Sequence, residues 1–285
     1  MPEHARCNLC VSASSELVTT FNDPTNIYVG TGTYVRCTSC GLIYLNPRLD
    51  AAERREHYEE IYSQDEIDRY LENQSTIATR YYLYLVERYG VKGKLLDMGC
   101  GTGFLLKVAR RRGWGGVGVE YSENAVRYGR KHYHLDICHG AVMEARFERA
   151  RFDAVTMINV IEHLPDPLSE LQEVRRILKP QGVVLIRTPN FECHANLRSM
   201  RQGKQPTAGV TVEHLYYFTR ETIQKMLKKV GFEVAKITTF NVRDGEATVK
   251  YLKSLQLKRC KGYLLEFIRG TLGHGNRLIV VARGR

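Results

Sequence analysis

The sequence lacks any apolar run near the roughly 18 residues that a membrane-spanning helix needs, which excludes an integral helical membrane protein. Proline is sparse, 8 in 285 residues, and tryptophan occurs once. With 43% hydrophobic and 26% charged residues, neither disorder nor a collagen-like repeat is supported. The segment Met1-Pro2-Glu3-His4-Ala5-Arg6 has no apolar stretch of the kind a secretory signal carries. Eight cysteines without an export signal then read as a reducing, cytoplasmic setting, in which paired cysteines hold metal rather than disulfides. Acid is in short supply: 31 Asp and Glu against 42 Lys and Arg leave a net charge of +11. Part of the excess gathers at Arg110-Arg111-Arg112 and from Asn241 to Arg285. This favours anionic partners such as nucleotide-linked small molecules, nucleic acid or an acidic lipid surface, and is equally compatible with a merely solvated surface. The length suits one large domain, or one domain with a small appendage.

What is present begins with two cysteine pairs, Cys7-Asn8-Leu9-Cys10 and Cys37-Thr38-Ser39-Cys40-Gly41. Each short loop turns two thiolates toward one ion, and two such loops supply the tetrahedral sulfur set that zinc prefers. Between them, Ile27-Tyr28-Val29 and Thr33-Tyr34-Val35-Arg36 read as short strands with Gly30 and Gly32 at the turn. The expectation is a zinc ribbon over 1–48, structural in role, because four cysteines leave no open coordination position. From Asp50 to Tyr89, Tyr58, Ile61, Tyr62, Ile77, Tyr81, Tyr84, Leu85 and Arg88 recur at helical spacing. This predicts a helical linker or lid over 49–90.

From Val91 onward, apolar runs alternate with amphipathic stretches. Strands are expected at Lys94–Met98, Gly116–Val119, Phe152–Ile158 and Val183–Arg187. Helices are expected at 104–112, closed by Gly113, from Ser122 to about Lys131, and after Asp166-Pro167. A polar loop from Asn190 to Gly209 precedes a helix at 219–230 and final strands near 233–240 and 278–282. Apolar strands interleaved with helices mean an α/β fold, a doubly wound, mostly parallel sheet covered on both faces.

The most informative stretch is Leu95-Leu96-Asp97-Met98-Gly99-Cys100-Gly101-Thr102-Gly103, a strand running into a glycine turn and then a helix. Such a turn lets the backbone approach a ligand at the carboxyl edge of the sheet. A dinucleotide site would require G-x-G-x-x-G, whereas here Phe104 stands where the last glycine belongs. Asp97 adds to this: a carboxylate beside the turn repels a diphosphate, at roughly 4 kcal/mol for unit charges about 4 Å apart at intermediate dielectric. It suits a ligand carrying an ammonium group and no phosphate. Glu120 closes the second strand, where an acid accepts ribose hydroxyls.

These pieces, with Phe152-Asp153-Ala154-Val155 and Leu178-Lys179-Pro180-Gln181-Gly182, resemble the class I S-adenosylmethionine-dependent methyltransferases over roughly 75–285. The paired-cysteine head followed by Gly41-Leu42-Ile43-Tyr44-Leu45-Asn46-Pro47 is similar to the zinc-ribbon heads of certain such enzymes, which often serve natural-product, sugar or surface-polysaccharide pathways. The resemblance implies a Rossmann-like seven-stranded sheet with an antiparallel last hairpin. S-adenosylmethionine would lie on Asp97, Gly99, Cys100, Gly101 and Gly103, with its ribose at Glu120 and Tyr121. The loop after the fourth strand, Asn159 and Val160, would border the same cofactor. The adenine would sit near Gly140-Ala141-Val142, where many relatives carry an acid and this chain has Ala141 and Val142.

Methyl transfer is an in-line displacement, so the protein aligns the nucleophile, excludes water and supplies a base where a proton must leave. His163, in Asn159-Val160-Ile161-Glu162-His163, lies at the carboxyl end of the fourth strand and is one candidate base; Glu162 would orient it or pack against the cofactor. His214, in Val212-Glu213-His214-Leu215-Tyr216-Tyr217-Phe218, is the other. Cys100, Cys138, Cys193 and Cys260 read as ordinary thiols, and His132 and His134 lack the partners of a metal site. The leading expectation is a small-molecule acceptor, with O-, N- and C-methylation all open. RNA methylation, using the ribbon and the basic C-terminal stretch, is the alternative. A non-catalytic cofactor-binding scaffold is the alternative of another class.

Overall fold

The structure, a computed structural model, describes residues 3–22, 31–48, 50, 76–206, 211, 213–240 and 274–284. The expected strand at Ile27–Val29, the lid residues Tyr58, Ile61 and Tyr62, the basic tract between 241 and 273 and Cys260 lie outside those residues.

Seven strands form the central sheet: β4 (Lys94–Met98), β5 (Gly115–Glu120), β6 (Asp136–His139), β7 (Phe152–Ile158), β8 (Leu178–Pro189), β10 (Phe232–Phe240) and β11 (Arg277–Gly284). Their order is β10-β11-β8-β7-β4-β5-β6, parallel from β8 through β6, with β11 antiparallel to both β8 and β10. This is the doubly wound arrangement with an antiparallel last hairpin that the sequence led us to expect. Successive strand side chains point to opposite faces, and the core divides accordingly. Leu96, Met98, Val155, Met157, Val184 and Ile186 face α4 (Pro167–Ile177) and α6 (Arg220–Lys229). Leu95, Ala154, Leu185 and Ile279 face α1 (Thr76–Tyr89) and α2 (Phe104–Arg111). Among the described residues no helix is long and apolar enough to cross a membrane.

Local chemistry sets the helix starts. The Ser122 hydroxyl accepts from the Ala125 N–H to open α3 (Glu123–Tyr133). Asp166 accepts from Ser169 N–H ahead of Pro167 in α4, and Thr219 forms a reciprocal capping box with Thr222 in α6. The polar stretch read as loop after Asn190 contains one further helix, α5 (His194–Arg201). Its apolar pattern is too short to register as a period, and its burial rests on Asn196, whose side chain donates to the Phe191 carbonyl.

The cysteine head is a four-stranded antiparallel sheet of β1 (Ser15–Asn22), β2 (Thr31–Cys37), β3 (Ile43–Leu45) and β9 (Tyr216–Tyr217). One expectation needs correcting. Gly32 is not a turn residue: it lies inside β2 opposite Phe21, where a Cβ would come within 2.2 Å of that ring. The sheet of the head is completed by β9, which comes from just beyond His214 and pairs with β3. Tyr34, Leu42, Ile43 and Tyr44 accordingly share one continuous core with Tyr216, Tyr217 and Phe218. Asn8 donates to Asp166 and accepts from Leu168 N–H, and Lys229 donates to the Leu9 carbonyl.

Candidate active site

At the carboxyl end of β4 the chain turns through Gly99 (φ 61°), Gly101 (φ 54°) and Gly103 (φ 81°), all left-handed. A Cβ on Gly99 would stand 2.5 Å from Val160 Cγ2, and one on Gly103 2.4 Å from Leu135 Cδ1. The turn therefore needs glycine for its dihedrals and for its neighbours. Gly99→Ala is expected to lower the melting temperature by several degrees, through about 1–2 kcal/mol of backbone strain plus the clash with Val160. A scanning calorimetry trace unchanged from the parent would contradict that.

Asp97 is 3% exposed, and its Oδ1 accepts one hydrogen bond, from Thr156 Oγ1 at 2.6 Å. Burial pushes its pKa up to about 7, against the Thr156 hydrogen bond and with some help from the charge of Glu120. It is a carboxylate held near its titration point at the floor of the turn. Glu120, at the end of β5, is also buried, and its oxygens accept from Gly101 N–H at 2.7 Å, Tyr121 N–H at 2.8 Å and Ser122 N–H at 2.9 Å. Burial raises its pKa and these donors oppose that. An acid at this strand end is expected to receive ribose hydroxyls. In the fold its oxygens also tie the glycine turn to the start of α3, because the N–H groups of Gly101, Tyr121 and Ser122 converge on it. Tyr121 is largely exposed, and Cys100 is buried beneath the turn, its thiol pushed up by burial. Past β6, Val142 is buried and Ala141 N–H donates to Glu144 Oε2 at 2.8 Å. An acid does stand at that edge, three residues later than the motif suggested.

Beyond β7, Asn159 takes a left-handed φ of 56°, rare for a residue with a side chain. Arg187 holds it there, donating Nη1 to Asn159 Oδ1 at 2.5 Å, while Asn159 N–H donates to the Arg187 carbonyl. The chain then brings Glu162 and His163 against His214. The two imidazole centroids are 4.8 Å apart at 71°. His163 Nδ1–H donates to the Glu213 carbonyl at 2.9 Å, which leaves the lone pair on Nε2 when the ring is neutral. His214 Nδ1 and the Tyr217 hydroxyl are 3.0 Å apart. Glu162 is fully buried, and neither carboxylate oxygen has a hydrogen-bond partner among the described residues. Burial raises its pKa; the neighbouring His163 acts against that most. One ligand atom each from Glu162, His163 and His214 lies within 4.8 Å of the others, a geometry that serves either proton exchange or a divalent cation. The histidines read as alternative bases are neighbours in one site.

His214 is held from the cysteine head. The Tyr34 hydroxyl is shared between the carbonyl oxygens of Thr211, at 2.7 Å, and His214, and the Tyr34 ring packs edge-on against Tyr217 at 4.9 Å. Arg48 Nη1 donates to the Tyr216 hydroxyl at 3.0 Å. In the head itself, Cys7 and Cys40 Sγ are 3.4 Å apart, as are Cys10 and Cys37, and all four sulfurs lie within 4.8 Å of one another without any disulfide among them. Tetrahedral Zn–S bonds of about 2.3 Å set sulfurs roughly 3.8 Å apart, so this donor set fits zinc. The N–H groups of Cys40 and Ser39 outweigh burial at Cys37 and bring it down to about 6, whereas burial pushes Cys7 and Cys40 up.

Sequence reasoning missed Tyr34, Glu144, Thr156 and the Arg187 clamp. Spacing carried no signal for Tyr34, Thr156 and Arg187, since each acts through a partner 28 to 180 residues away; Glu144 only closes a local turn onto Ala141 N–H.

A glycine turn at the carboxyl edge of this sheet, between two buried acids, defines the class I S-adenosylmethionine-dependent methyltransferase type. Residues 55–237 match the family described as Methyltransferase domain, and the chain belongs to that family. It is 34% identical over 108 residues to the ubiquinone biosynthesis O-methyltransferase of Alkalilimnicola ehrlichii, covering 35% of this chain and 44% of that one. It is 33% identical over 170 residues to the demethylmenaquinone methyltransferase of Staphylococcus saprophyticus, covering 52% of this chain and 73% of that one. The chain thus spans less than half the length of the first of these curated relatives. Among solved structures, phosphoethanolamine N-methyltransferase 2 of Haemonchus contortus in complex with S-adenosyl-L-methionine matches with a TM-score of 0.60 at 18% identity, covering 95% of this chain and 68% of that one. An S-adenosylmethionine-dependent methyltransferase from Archaeoglobus fulgidus matches at 0.52 and 18% identity, covering 73% and 93%. At these identities the likeness is one of fold.

Proposed function

We propose that the chain transfers a methyl group from S-adenosylmethionine to a small-molecule acceptor, with His163 and His214 taking the acceptor's proton. The observation that carries this reading is the pairing of two sites on one sheet edge: the Gly99–Gly103 turn with Asp97, and the Glu162–His163–His214 cluster. Asp97 would receive the ammonium of the cofactor's methionine portion. Gly99, Cys100, Gly101 and Gly103 would give their backbone to it, Glu120 and Tyr121 would border the ribose, and Ala141 and Val142 the adenine. When bound, the cofactor would supply an electrophilic methyl on sulfur, and Asn159 and Val160 would border it. His163 Nε2 is the proton acceptor, because its Nδ1–H is engaged by Glu213. The zinc-sized cysteine cluster of Cys7, Cys10, Cys37 and Cys40 would be structural. The quinone-pathway relatives act on small molecules by their names, which favours a small acceptor over RNA.

The reading has a pH signature. An ammonium favours the ionised form of Asp97, whose pKa is raised to about 7 without it. Affinity for S-adenosylhomocysteine is therefore expected to be full well above pH 7 and to fall as pH drops below it, by up to about tenfold per unit. Asp97→Asn is expected to bind weakly at every pH, and a flat pH profile in the parent would remove Asp97 from the cofactor site. The activity itself is tested by supplying methyl-labelled S-adenosylmethionine and a deproteinised extract of small metabolites. Label in a product below peptide size supports the proposal; label that enters only added RNA overturns the choice of acceptor.

A further inference from the structure

Two arginines border the histidine cluster and have no role in the chemistry above beyond one clamp. In the β8–β11 ladder Arg187 lies opposite Ile279 and Arg277 opposite Pro189. Both therefore point to the same face of the sheet, as diagonal neighbours about 7–8 Å apart at the backbone. It is the face that α1 covers with Tyr82 and Leu83. Arg187 gives one N–H to Asn159 Oδ1, and Arg277 gives one to the Asn276 carbonyl at 3.2 Å. A guanidinium carries five N–H donors in a planar fork. In each residue Nε is buried and has no acceptor among the described residues. The acid in their field is Glu162, whose oxygens likewise have no hydrogen-bond partner among the described residues.

A buried N–H without an acceptor is costly, and two guanidiniums side by side repel. Burial first, and the Arg187 charge second, pull the pKa of Arg277 below its usual value. What relieves all of this at once is an oxyanion, which accepts bidentate hydrogen bonds from arginine forks. The same two fixed cations work against a metal ion at Glu162, His163 and His214. They also lie across β7 from Asp97 and Glu120, on the acceptor side of the proposed cofactor crevice.

We propose that Arg187 and Arg277 form a receptor for a carboxylate or phosphate group of the acceptor, which restricts this methyltransferase to anionic small molecules. The inference rests on the function proposed above and names the class of its substrate. The test uses the full, zinc-loaded chain saturated with S-adenosylhomocysteine, titrated at constant ionic strength with pyrophosphate and, separately, with malonate. At least one of them is expected to bind, about tenfold or more weaker in Arg277→Gln and in Arg187→Gln. S-adenosylhomocysteine affinity is expected to stay within about twofold in Arg277→Gln. The stronger of the two probes tells phosphate from carboxylate. Should either variant fail to fold, protection of Arg187 and Arg277 from phenylglyoxal by the same anions, mapped by peptide mass in the parent protein, gives the same reading. Three results would overturn the inference: neither anion binds, both bind equally to parent and variants, or S-adenosylhomocysteine displaces the anion and so claims the arginines for the cofactor. If S-adenosylhomocysteine itself fails to bind, the methyltransferase reading falls first.

Discussion

Protein stripped of zinc, or carrying Cys37→Ser, is expected to lose methyl transfer while still binding S-adenosylhomocysteine. Asp97 and Glu120 belong to β4 and β5, whose hydrogen bonds are to the glycine turn, Thr156 and the start of α3. Among the described residues none of these hydrogen bonds reaches the cysteine head. His214 depends on it: β9 pairs with β3, Leu45 N–H donates to the Leu215 carbonyl, and Tyr34 holds the His214 carbonyl. Structural zinc supplies about 10–16 kcal/mol to the small units it organises, far more than a three-residue strand such as β3 can provide unaided. Without it β3 and β9 are expected to separate, and His214 to leave His163. The outcome is read by hydrogen exchange over 213–219, expected to quicken, alongside calorimetry with S-adenosylhomocysteine, expected to change little. Full activity in metal-free protein would show that the head is an appendage rather than a wall of the site.

His163→Gln is expected to reduce kcat by about 10²–10⁴-fold, the usual contribution of a positioned base. In the proposed mechanism its Nδ1–H is committed to Glu213, and Nε2 would accept the proton. Gln matches the size of imidazole and keeps a donor but has no titratable nitrogen. His214→Gln is expected to fall less, because His214 Nδ1 is already engaged with the Tyr217 hydroxyl. Single-turnover rates with a fixed cofactor concentration separate this from binding. A His163→Gln enzyme with parental kcat and an unaltered pH profile would remove the histidine from the chemistry.

Much of the fold was legible because its signals are local. Apolar runs, the Ser122, Asp166 and Thr219 caps and the glycine turn each state their structure within a few residues. The cysteine pairs declared a cluster for the same reason. What escaped was everything set by distant pairing. β9 is two residues long and becomes a strand only because β3 lies beside it. Gly32 looks like a turn residue until Phe21 fills the space above it. The two histidines could not be joined in the sequence, because 50 residues separate His163 from Glu213, the residue that positions it. Glu120 was placed correctly at a strand end, yet its three backbone partners are a property of the folded turn.

The measurement closest to the centre is calorimetric titration of the zinc-loaded chain with S-adenosylhomocysteine and, in parallel, with NADH. A crevice floored by Asp97 and closed by Glu120 is expected to bind the former with micromolar affinity, lost on Asp97→Ala, and to give no heat with the latter. Binding of NADH together with silence toward S-adenosylhomocysteine would contradict the assignment of that crevice.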